Sequence, residues 1–262
     1  MRLDALLVER GLAEDKDSAQ RLVLVGEVRS GDTALTQPAA LLDPSIDLKL
    51  KSTGQVFVSR GGDKLAGALE DFTFVARSLN CLDVGASTGG FTDCLLQQGA
   101  AHVSSVDVGY GQFAWQLRTD GRVSLFERTN IKDVDADLLS RAPFELVVVD
   151  LSFISLRAIL ARLAPLLASD GTLIALVKPQ FELARGSVGK GGVVTDAKAH
   201  EEALSLVIAA AQAAGLAPLA ATHSHLKGPK GNIEFFLRAQ KGGFPVTIDT
   251  AELVQKAHAH LS

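Results

Sequence analysis

The sequence has little of several features that would mark a specialised class of protein. Its 262 residues include only two cysteines, Cys81 and Cys94; these cannot form a disulfide framework, and no His/Cys cluster accompanies them as a zinc site would require. Both adjoin apolar segments, so we expect core thiols and no metal. Internal repeats and low-complexity tracts are absent, and Met1 is followed at once by polar residues rather than by a signal peptide, which favours a cytoplasmic location.

One uncharged segment has the length of a membrane-spanning helix. Residues 203–222 carry no charge, and a span requires about 20 apolar residues. The segment is mostly alanine, however, and it is interrupted by Gly215 and Pro218. We interpret it as a buried helix to Ala214, a glycine stop and a strand near Leu219, so that no membrane partner is expected.

The chain changes character near residue 60. Residues 1–60 hold eight cations and nine anions, and their apolar pattern indicates two short helices that end at Gly11 and Gly26. Short strands are predicted around Val28, Ala34–Leu35 and Asp47–Leu50, giving a small α+β module. We assign residues 1–54 to this module, 55–60 to a linker and 61–262 to a larger domain.

Beyond Leu79 the sequence alternates between apolar strands and helices. Continuous apolar strands separated by helices are typical of a mainly parallel sheet covered on both faces, so the fold class is α/β with a Rossmann-like domain. The predicted strands are 81–84, 103–106, 146–149, 172–177, 217–222 and 233–237. The predicted helices are 92–98, 112–118, 156–168 and 197–214.

A glycine-rich turn follows the first of these strands. Residues 82–91 read Leu-Asp-Val-Gly-Ala-Ser-Thr-Gly-Gly-Phe, and the glycines let the backbone approach a ligand closely or adopt positive φ. Such turns bind nucleotides and related cofactors in open α/β sheets. The spacing differs from the Gly-x-Gly-x-x-Gly of dinucleotide enzymes, which favours a cofactor without pyrophosphate, most obviously S-adenosylmethionine. The alternative is a tight turn with a purely structural role.

An acid ends the second strand. Asp107 lies 22 residues after Gly85, and an acid about 20 residues beyond the glycines hydrogen-bonds a ribose diol in Rossmann-like sheets. The alternative is a solvated loop acid. Together with the glycine turn, Asp107 favours a nucleoside-containing cofactor.

Four further charged residues lie at the ends of predicted elements. Asp150 and Lys178 follow apolar strands, Glu234 lies in an apolar strand and Lys64 precedes an apolar helix. Desolvation lowers the pKa of a partly buried lysine, and a lysine with a pKa of about 7–8 can serve as a general base. Each residue alone is better explained by solvation or a salt bridge, but four such residues at element ends in one Rossmann-like domain favour a catalytic site.

Several segments are similar to those of a known family. They are Ser59-Arg60-Gly61-Gly62-Asp63-Lys64-Leu65, Gly85–Thr92, Asp107–Gln112, Asp150–Ser155 and Val177–Glu182. Over nearly the whole chain they resemble the TlyA, or hemolysin-A, family. The resemblance implies an S4-type RNA-binding domain followed by an FtsJ-type methyltransferase domain. It also implies methyl transfer from S-adenosylmethionine to cytidine ribose 2′-hydroxyls of ribosomal RNA in ribosomal subunits.

The resemblance also implies roles for individual residues. The FtsJ-type Lys-Asp-Lys-Glu tetrad matches Lys64, Asp150, Lys178 and Glu234, with Lys178 receiving or steering the 2′-hydroxyl proton. The implied cofactor residues are Asp83, Gly85, Ala86, Ser87, Thr88, Gly89, Gly90, Phe91, Asp107, Asn130, Ile131 and Asp150. The cations expected to meet RNA phosphates are Arg2, Arg21, Arg60, Arg185, Lys190, Lys227 and Lys230. Two glycine-rich stretches, 186–192 and 227–231, resemble mobile loops over a site; the alternative is that they are solvated connections.

Two other functions stay open at this point. The family's traditional name suggests a membrane-active hemolysin, although the sequence has no convincing amphipathic or spanning stretch. The other possibility is a non-catalytic RNA-binding factor for ribosome assembly, against which the intact glycine turn and the four tetrad positions argue. We expect the protein to be a monomer.

Overall fold

The structure is a computed structural model that describes residues 1–24, 26–31, 33–50 and 56–261. The chain divides into two compact units. One comprises Met1–Val56 with Ala114–Asp120, and the other comprises Phe57–Phe113 with Gly121–Ser262. The predicted linker 55–60 begins at a residue outside the described ranges, and the first helix of the larger unit begins at Arg60. The domain assignment therefore stays a prediction.

The smaller unit contains two helices and a ribbon of short antiparallel strands. Its elements are α1 (Leu3–Glu9), α2 (Lys16–Leu24), β1 (Val28–Ser30), β2 (Thr33–Ala34) and β3 (Lys49–Leu50). The strand order is β2-β1-β3. Leu3, Leu7, Ala19 and Val23 are fully buried on the inner faces of the two helices. The predicted helices and short strands of this module are confirmed.

The larger unit is built on a sheet of seven strands. Its elements are α3 (Arg60–Asp71), β4 (Asn80–Val84), α4 (Gly90–Gln97), β5 (His102–Val106), β6 (Val123–Phe126), β7 (Phe144–Val149), α6 (Leu160–Leu163), β8 (Leu167–Val177), α7 (Pro179–Glu182), α8 (Ala197–Ala213), β9 (Leu216–His223), β10 (Phe235–Lys241) and α9 (Thr250–Leu261). A short helix, α5 (Trp115–Arg118), groups with the smaller unit.

The sheet has the order β6-β5-β4-β7-β8-β10-β9. The first five strands in this order are parallel, and β10 runs antiparallel between β8 and β9. The predicted α/β class with a mainly parallel sheet is confirmed. Because the strands β4, β5, β7 and β8 are parallel, the loops that follow them emerge at one edge of the sheet.

The antiparallel strand β10 begins at the same edge. Phe235 pairs with Val177 of β8 on one side and with His223 of β9 on the other. Residue 234 precedes this paired row, and residue 178 follows it. The sequence pattern placed Glu234 inside its strand. In the structure it lies just before the strand, which begins at Phe235.

The structure differs from the predicted elements at several positions. The single helix predicted for 156–168 is broken into a 3-10 turn, the four-residue α6 and a second 3-10 turn. The second turn contains Pro165, which has no amide hydrogen to continue a helix. The helix predicted for 112–118 is reduced to α5. Strand β6 and the C-terminal helix α9 were not predicted.

Two further predictions from composition are tested by the structure. Cys81 and Cys94 are buried free thiols, and burial raises the pKa of each to about 12. The uncharged segment 203–222 forms the end of α8 and most of β9. Within the described ranges, the helices are too short or too polar to cross a membrane.

Candidate active site

The glycine-rich turn follows β4, at the point where the strand order of the sheet reverses. Strands β5 and β6 lie on one side of β4, and β7 and β8 lie on the other. Open α/β sheets bind ligands in the crevice beyond such a reversal. Gly85 has a φ of +87°, and a Cβ there would collide with the carbonyl oxygen of Asp150. Glycine is therefore required, and the turn lies against the end of β7.

Asp107 follows β5 and accepts three hydrogen bonds. Its Oδ2 accepts from the Ser87 amide at 2.8 Å, and its Oδ1 accepts from the Gly109 amide at 2.6 Å and from Gln112 Nε2 at 3.3 Å. The side chain therefore joins the turn after β4 to the loop after β5. Gln112 is a member of this group that the spacing argument did not identify.

The other predicted cofactor residues divide by exposure. Ser87, Thr88 and Asn130 are at least partly accessible, and Asn130 caps a short 3-10 turn through its side-chain oxygen. A hydrogen bond of 2.9 Å from the Thr129 amide to the Asp107 carbonyl holds this segment beside the Asp107 loop. The remaining predicted members that are buried are Asp83, Ala86, Gly89, Gly90, Phe91 and Ile131.

Asp83 lies beneath the turn and is fully buried. Thr92 Oγ1 donates to its Oδ2 at 2.6 Å and is 2.7 Å from Ser105 Oγ. Burial raises the pKa of Asp83 to about 7, against the effect of the Thr92 hydrogen bond. Because Asp83 presents no surface to a ligand, we propose that it supports the turn rather than contacting the cofactor.

Gly90 and Phe91 lie where the turn meets α3. A Cβ on Gly90 would overlap Ser59 Oγ and would lie 2.9 Å from the Gly62 amide nitrogen. The Phe91 ring packs against Phe236 of β10, with the ring centroids 6.1 Å apart. Both residues therefore determine how α4 packs, a role that their place in the motif does not reveal.

Two of the predicted catalytic residues form a buried ion pair. Lys64 Nζ of α3 is 2.5 Å from Glu234 Oε2, and the two side chains are only 8% and 1% exposed. Gly228 packs against the same carboxylate so closely that a Cβ there would collide with Glu234 Oε1. The pair is thus enclosed by α3, by the segment before β10 and by the loop that carries Gly228.

The other two form a second ion pair at the ends of neighbouring parallel strands. Lys178 Nζ contacts Asp150 Oδ1, with side-chain exposures of 11% and 23%, and Ser152 Oγ is 3.3 Å from the same ammonium. The structure therefore brings the predicted tetrad together as two lysine–carboxylate pairs at one edge of the sheet. Ser152 was not predicted, although it lies inside one of the matching segments.

Of the predicted RNA-contacting cations of the larger unit, Arg60 begins α3 and the others lie in two glycine-rich stretches of the chain. Arg60 is exposed and donates to the Lys227 carbonyl oxygen at 3.1 Å. Lys230 is exposed on the same loop as Lys227. Asn232 joins this loop to the other glycine-rich stretch, because it donates to the Gly192 carbonyl at 2.9 Å and accepts from the Val194 amide at 2.9 Å. Arg185 and Lys190 each begin a short 3-10 turn of that stretch.

The predicted cations of the smaller unit differ in their surroundings. Arg2 donates to both carboxylate oxygens of the buried Asp4, at 3.0 and 2.7 Å, and this hydrogen bonding holds the pKa of Asp4 well below its usual range. Arg21 is exposed and donates to Ser18 Oγ at 3.0 Å. Both arginines are exposed, but the guanidinium of Arg2 is already paired with Asp4, whereas Arg21 donates to a neutral hydroxyl.

Comparisons with known proteins place the chain in a family. Residues 57–241 match the model of the FtsJ-like methyltransferase family. The chain is 44% identical over 237 residues to the 16S/23S rRNA (cytidine-2′-O)-methyltransferase TlyA of Mycobacterium tuberculosis, a match that covers 90% of this chain and 88% of that protein. A solved structure from Streptococcus thermophilus, provisionally named a hemolysin, is 38% identical with a TM-score of 0.76. The match covers 99% of this chain and 96% of the Streptococcus thermophilus chain.

More distant solved structures share the fold alone. One is a provisionally assigned S-adenosylmethionine-dependent methyltransferase of Listeria monocytogenes, 15% identical with a TM-score of 0.51, which covers 70% of this chain and 99% of its own. The family match extends from the start of α3 to the end of β10, so it includes both ion pairs and the glycine turn. The chain belongs to the FtsJ-like methyltransferase family, in the branch that contains TlyA.

Proposed function

We propose that this chain transfers the methyl group of S-adenosylmethionine to the ribose 2′-hydroxyl of cytidine in ribosomal RNA. The observation that carries the proposal is that the pairs Lys64–Glu234 and Lys178–Asp150 share a sheet edge with the glycine-rich turn. Positioned acid–base groups are what a weak oxygen nucleophile requires when it must lose a proton during group transfer. The substrate is suggested by TlyA of Mycobacterium tuberculosis, whose name specifies cytidine 2′-O-methylation of 16S and 23S rRNA.

The residues around the turn fit S-adenosylmethionine. Gly85 leaves backbone at the strand reversal with no side chain in the way, and Asp107 is a partly exposed carboxylate that can accept hydrogen bonds from a ribose diol. Asn130 lies accessible beside the Asp107 loop, where we assign it to the adenine side. When bound, the cofactor would supply an electrophilic methyl group on a sulfonium, whose positive charge the nearby carboxylates tolerate.

On the substrate side, we assign the 2′-hydroxyl to Lys178. The contacts of Lys178 Nζ with Asp150 and Ser152 fix its direction, so the side chain need not be reoriented for the reaction. As the neutral amine it can receive the hydroxyl proton and become the ammonium; as the ammonium it can only steer the hydroxyl through a hydrogen bond. The more deeply buried pair Lys64–Glu234 has the geometry of a rigid support that orients Lys178 and the nucleotide. The accessible cations Arg60 and Lys230 are assigned to RNA phosphates.

The test is methylation of purified ribosomal subunits from cells that lack this protein. Small and large subunits would be incubated with the protein and tritiated S-adenosylmethionine, and methylated nucleotides would be mapped by mass spectrometry of nuclease digests. We expect 2′-O-methylcytidine with the wild-type protein and none with Lys178→Ala. Methyl groups on base atoms, or on no RNA at all, would contradict the proposal.

The same purified protein and ribosomal subunits also test the two alternative functions, a hemolysin and a non-catalytic assembly factor. A hemolysin name is carried by the relative from Streptococcus thermophilus, and lysis of erythrocytes by the purified protein would support that activity. A non-catalytic assembly factor would bind subunits without incorporating label. We expect neither result, and we expect the protein to act in the cytoplasm, where its proposed substrate is found.

A further inference from the structure

Glu182 is a buried acid that the proposed mechanism does not use. It is the last residue of α7, four positions after Lys178, and its side chain is 1% exposed. A buried carboxylate is retained only where hydrogen bonds and charges compensate for the loss of solvent. The donors that hydrogen-bond to the Glu182 carboxylate therefore show which parts of the chain this residue holds together.

All of these groups come from three consecutive residues on the neighbouring loop. Ser155 Oγ donates to Glu182 Oε2 at 2.5 Å, and the Leu156 amide donates to Oε1 at 2.8 Å. Arg157 Nε lies 3.4 Å from Oε2, and Arg157 Nη2 donates to the Glu182 backbone carbonyl at 2.8 Å. Both carboxylate oxygens are thus occupied by the segment that begins at Asp150 after β7.

The two loops are joined at three levels. At the sheet edge Lys178 contacts Asp150 and lies 3.3 Å from Ser152 Oγ. In the middle the rings of Phe153 and Phe181 lie with their centroids 5.4 Å apart. At the far end are the Glu182 hydrogen bonds. The loops 150–157 and 178–182 therefore form one unit, which we call the paired loops.

The middle level is conformationally costly. Phe153 has a φ of +65°, and the residue is 92% exposed. Such a conformation in a residue other than glycine costs about 1–3 kcal/mol and persists only when its surroundings enforce it. An exposed ring cannot be enforced by core packing, so the contacts on either side, Asp150 to Lys178 and Ser155 to Glu182, must hold the backbone in place.

We propose that Glu182 is a positioning residue for methyl transfer: its carboxylate fixes the far end of the paired loops and thereby sets the Asp150–Lys178 contact at the near end. The proposal rests on the proposed function, since it assigns Glu182 to the same site. Glu182 does not touch the reacting atoms. Its effect is geometric, and displacements of about 1 Å can lower a rate by about 100-fold.

The experiment compares Glu182→Gln with a control, Glu145→Gln, which makes the same substitution at an exposed glutamate. Glu145 also accepts a backbone amide hydrogen bond, from Asn80 at 2.8 Å, but it lies near the start of β7, away from the paired loops. The isosteric glutamine at 182 still accepts from the Leu156 amide. Its NH2 group replaces Oε2, so it can accept neither from Ser155 Oγ nor from Arg157 Nε. Single-turnover methylation of subunits, KM for subunits, and the affinity and stoichiometry of S-adenosylmethionine binding would be measured for both.

We expect Glu182→Gln to lower the single-turnover rate by about 10–100-fold, with KM and cofactor affinity within about twofold of wild type. Glu145→Gln should leave all of these values within about twofold. Full cofactor stoichiometry shows that the protein is folded, so a purely structural defect would appear as lost stoichiometry. A Glu182→Gln protein that reacts at the wild-type rate, or whose loss of rate equals its loss of folded protein, overturns the positioning role.

A second variant keeps the test decisive if Glu182→Gln does not fold. Ser155→Ala removes one donor to the same carboxylate, and we expect it to lower the rate in the same direction. If Glu182→Gln does not fold, a wild-type rate in folded Ser155→Ala overturns the proposal. If it folds, the two losses should not add in the double variant, because they break one connection, and additive losses overturn the proposal. If the wild-type protein itself transfers no methyl group, the proposed function fails and the positioning role fails with it, whereas an active wild type with unaffected variants removes the positioning role alone.

Discussion

Lys64 and Glu234 lie 170 positions apart in the sequence, and their side chains meet in a buried ion pair of 2.5 Å. The pair connects the first helix of the larger unit with the start of the antiparallel strand β10. A buried pair contributes little net stability compared with apolar residues, but the loss of one partner leaves a charge without compensation. Replacing one partner and replacing both should therefore differ in their effect on stability, and comparing each with methylation distinguishes a structural role of the pair from a functional one.

We expect Glu234→Ala to lower the free energy of unfolding by about 3–5 kcal/mol, because Lys64 keeps a buried charge. The double variant Lys64→Met with Glu234→Leu should recover most of that stability without recovering methylation. Urea unfolding measures the stability of each variant, and the ribosomal-subunit assay measures its methylation. If the double variant methylates at the wild-type rate, the pair has only a structural role.

Lys178→Ala should abolish methyl transfer while S-adenosylmethionine still binds, because it removes a group aimed at the substrate and not at the cofactor. Loss of a positioned acid–base group lowers rates by about 10²–10⁴-fold. Lys178→Arg should not restore the rate, since a guanidinium keeps its proton at any usable pH. Near-normal single-turnover methylation by the arginine variant would show that the residue serves as a fixed positive charge.

Asp107→Ala should weaken S-adenosylmethionine binding in calorimetry. The structure adds a second effect: because Asp107 accepts from two backbone amides and Gln112, the variant should also lose about 1–3 kcal/mol of stability. Gln112→Ala is the control, since it removes only the longest of these hydrogen bonds. Unchanged cofactor affinity in Asp107→Ala would remove Asp107 from the site.

The stability of the larger unit should fall in acid through His200. Burial, reinforced by the neighbouring His258, lowers the pKa of His200 to about 4, and the two rings share a hydrogen bond of 2.9 Å between α8 and α9. The unfolded chain, with a histidine pKa of about 6.5, binds this proton earlier. The contribution is therefore present above pH 6.5 and is lost as the pH falls toward 4, on the order of 1–3 kcal/mol.

Urea unfolding of wild type and His200→Asn between pH 4 and 7 isolates this contribution. Asp83 acts with the opposite sign: its raised pKa stabilises the folded state in acid, and this effect fades as the pH rises toward 7. Since Asp83 is present in both proteins, its effect cancels in the difference between the two curves. Parallel curves would show that His200 does not titrate in this way.

Removal of residues 1–55 tests whether the N-terminal part of the chain serves only to anchor RNA. A truncated protein that begins at Val56 keeps the glycine turn and both ion pairs, so it should bind S-adenosylmethionine with unchanged affinity. It should lose methylation of ribosomal subunits if residues 1–54 supply RNA contacts. Full activity on subunits would refute the anchoring role, and lost cofactor binding would point to coupling between the two parts of the chain.

The sequence predicts the strands of the sheet well because continuous apolar runs that end in Gly85, Asp107, Asp150 or Lys178 are typical of buried parallel strands. It also predicts the sheet edge at which these residues meet, since the carboxyl ends of parallel strands coincide. It does not predict which lysine pairs with which carboxylate. That choice depends on β10 running antiparallel beside β8, a consequence of tertiary packing and not of local pattern.

The missed features have a common physical origin. Strand β6 and helix α9 are short or weakly patterned segments that are defined by what they pack against. Glu182 lies inside a segment that matches the family, yet a lone acid after a strand gives no sign that it is buried. Only the three donors from Ser155 to Arg157 show what it holds together.

The contact at Gly90 joins the glycine-rich turn to the helix that carries Lys64. Gly90 lies against Ser59 Oγ and the Gly62 amide so closely that a Cβ would not fit, and Lys64 follows Gly62 by less than one helical turn. The start of α4, where the glycine-rich turn ends, therefore packs directly against the first turn of α3, the helix that carries Lys64. A larger residue at position 90 would have to displace α3, and Lys64 on that helix would then lose its position against Glu234.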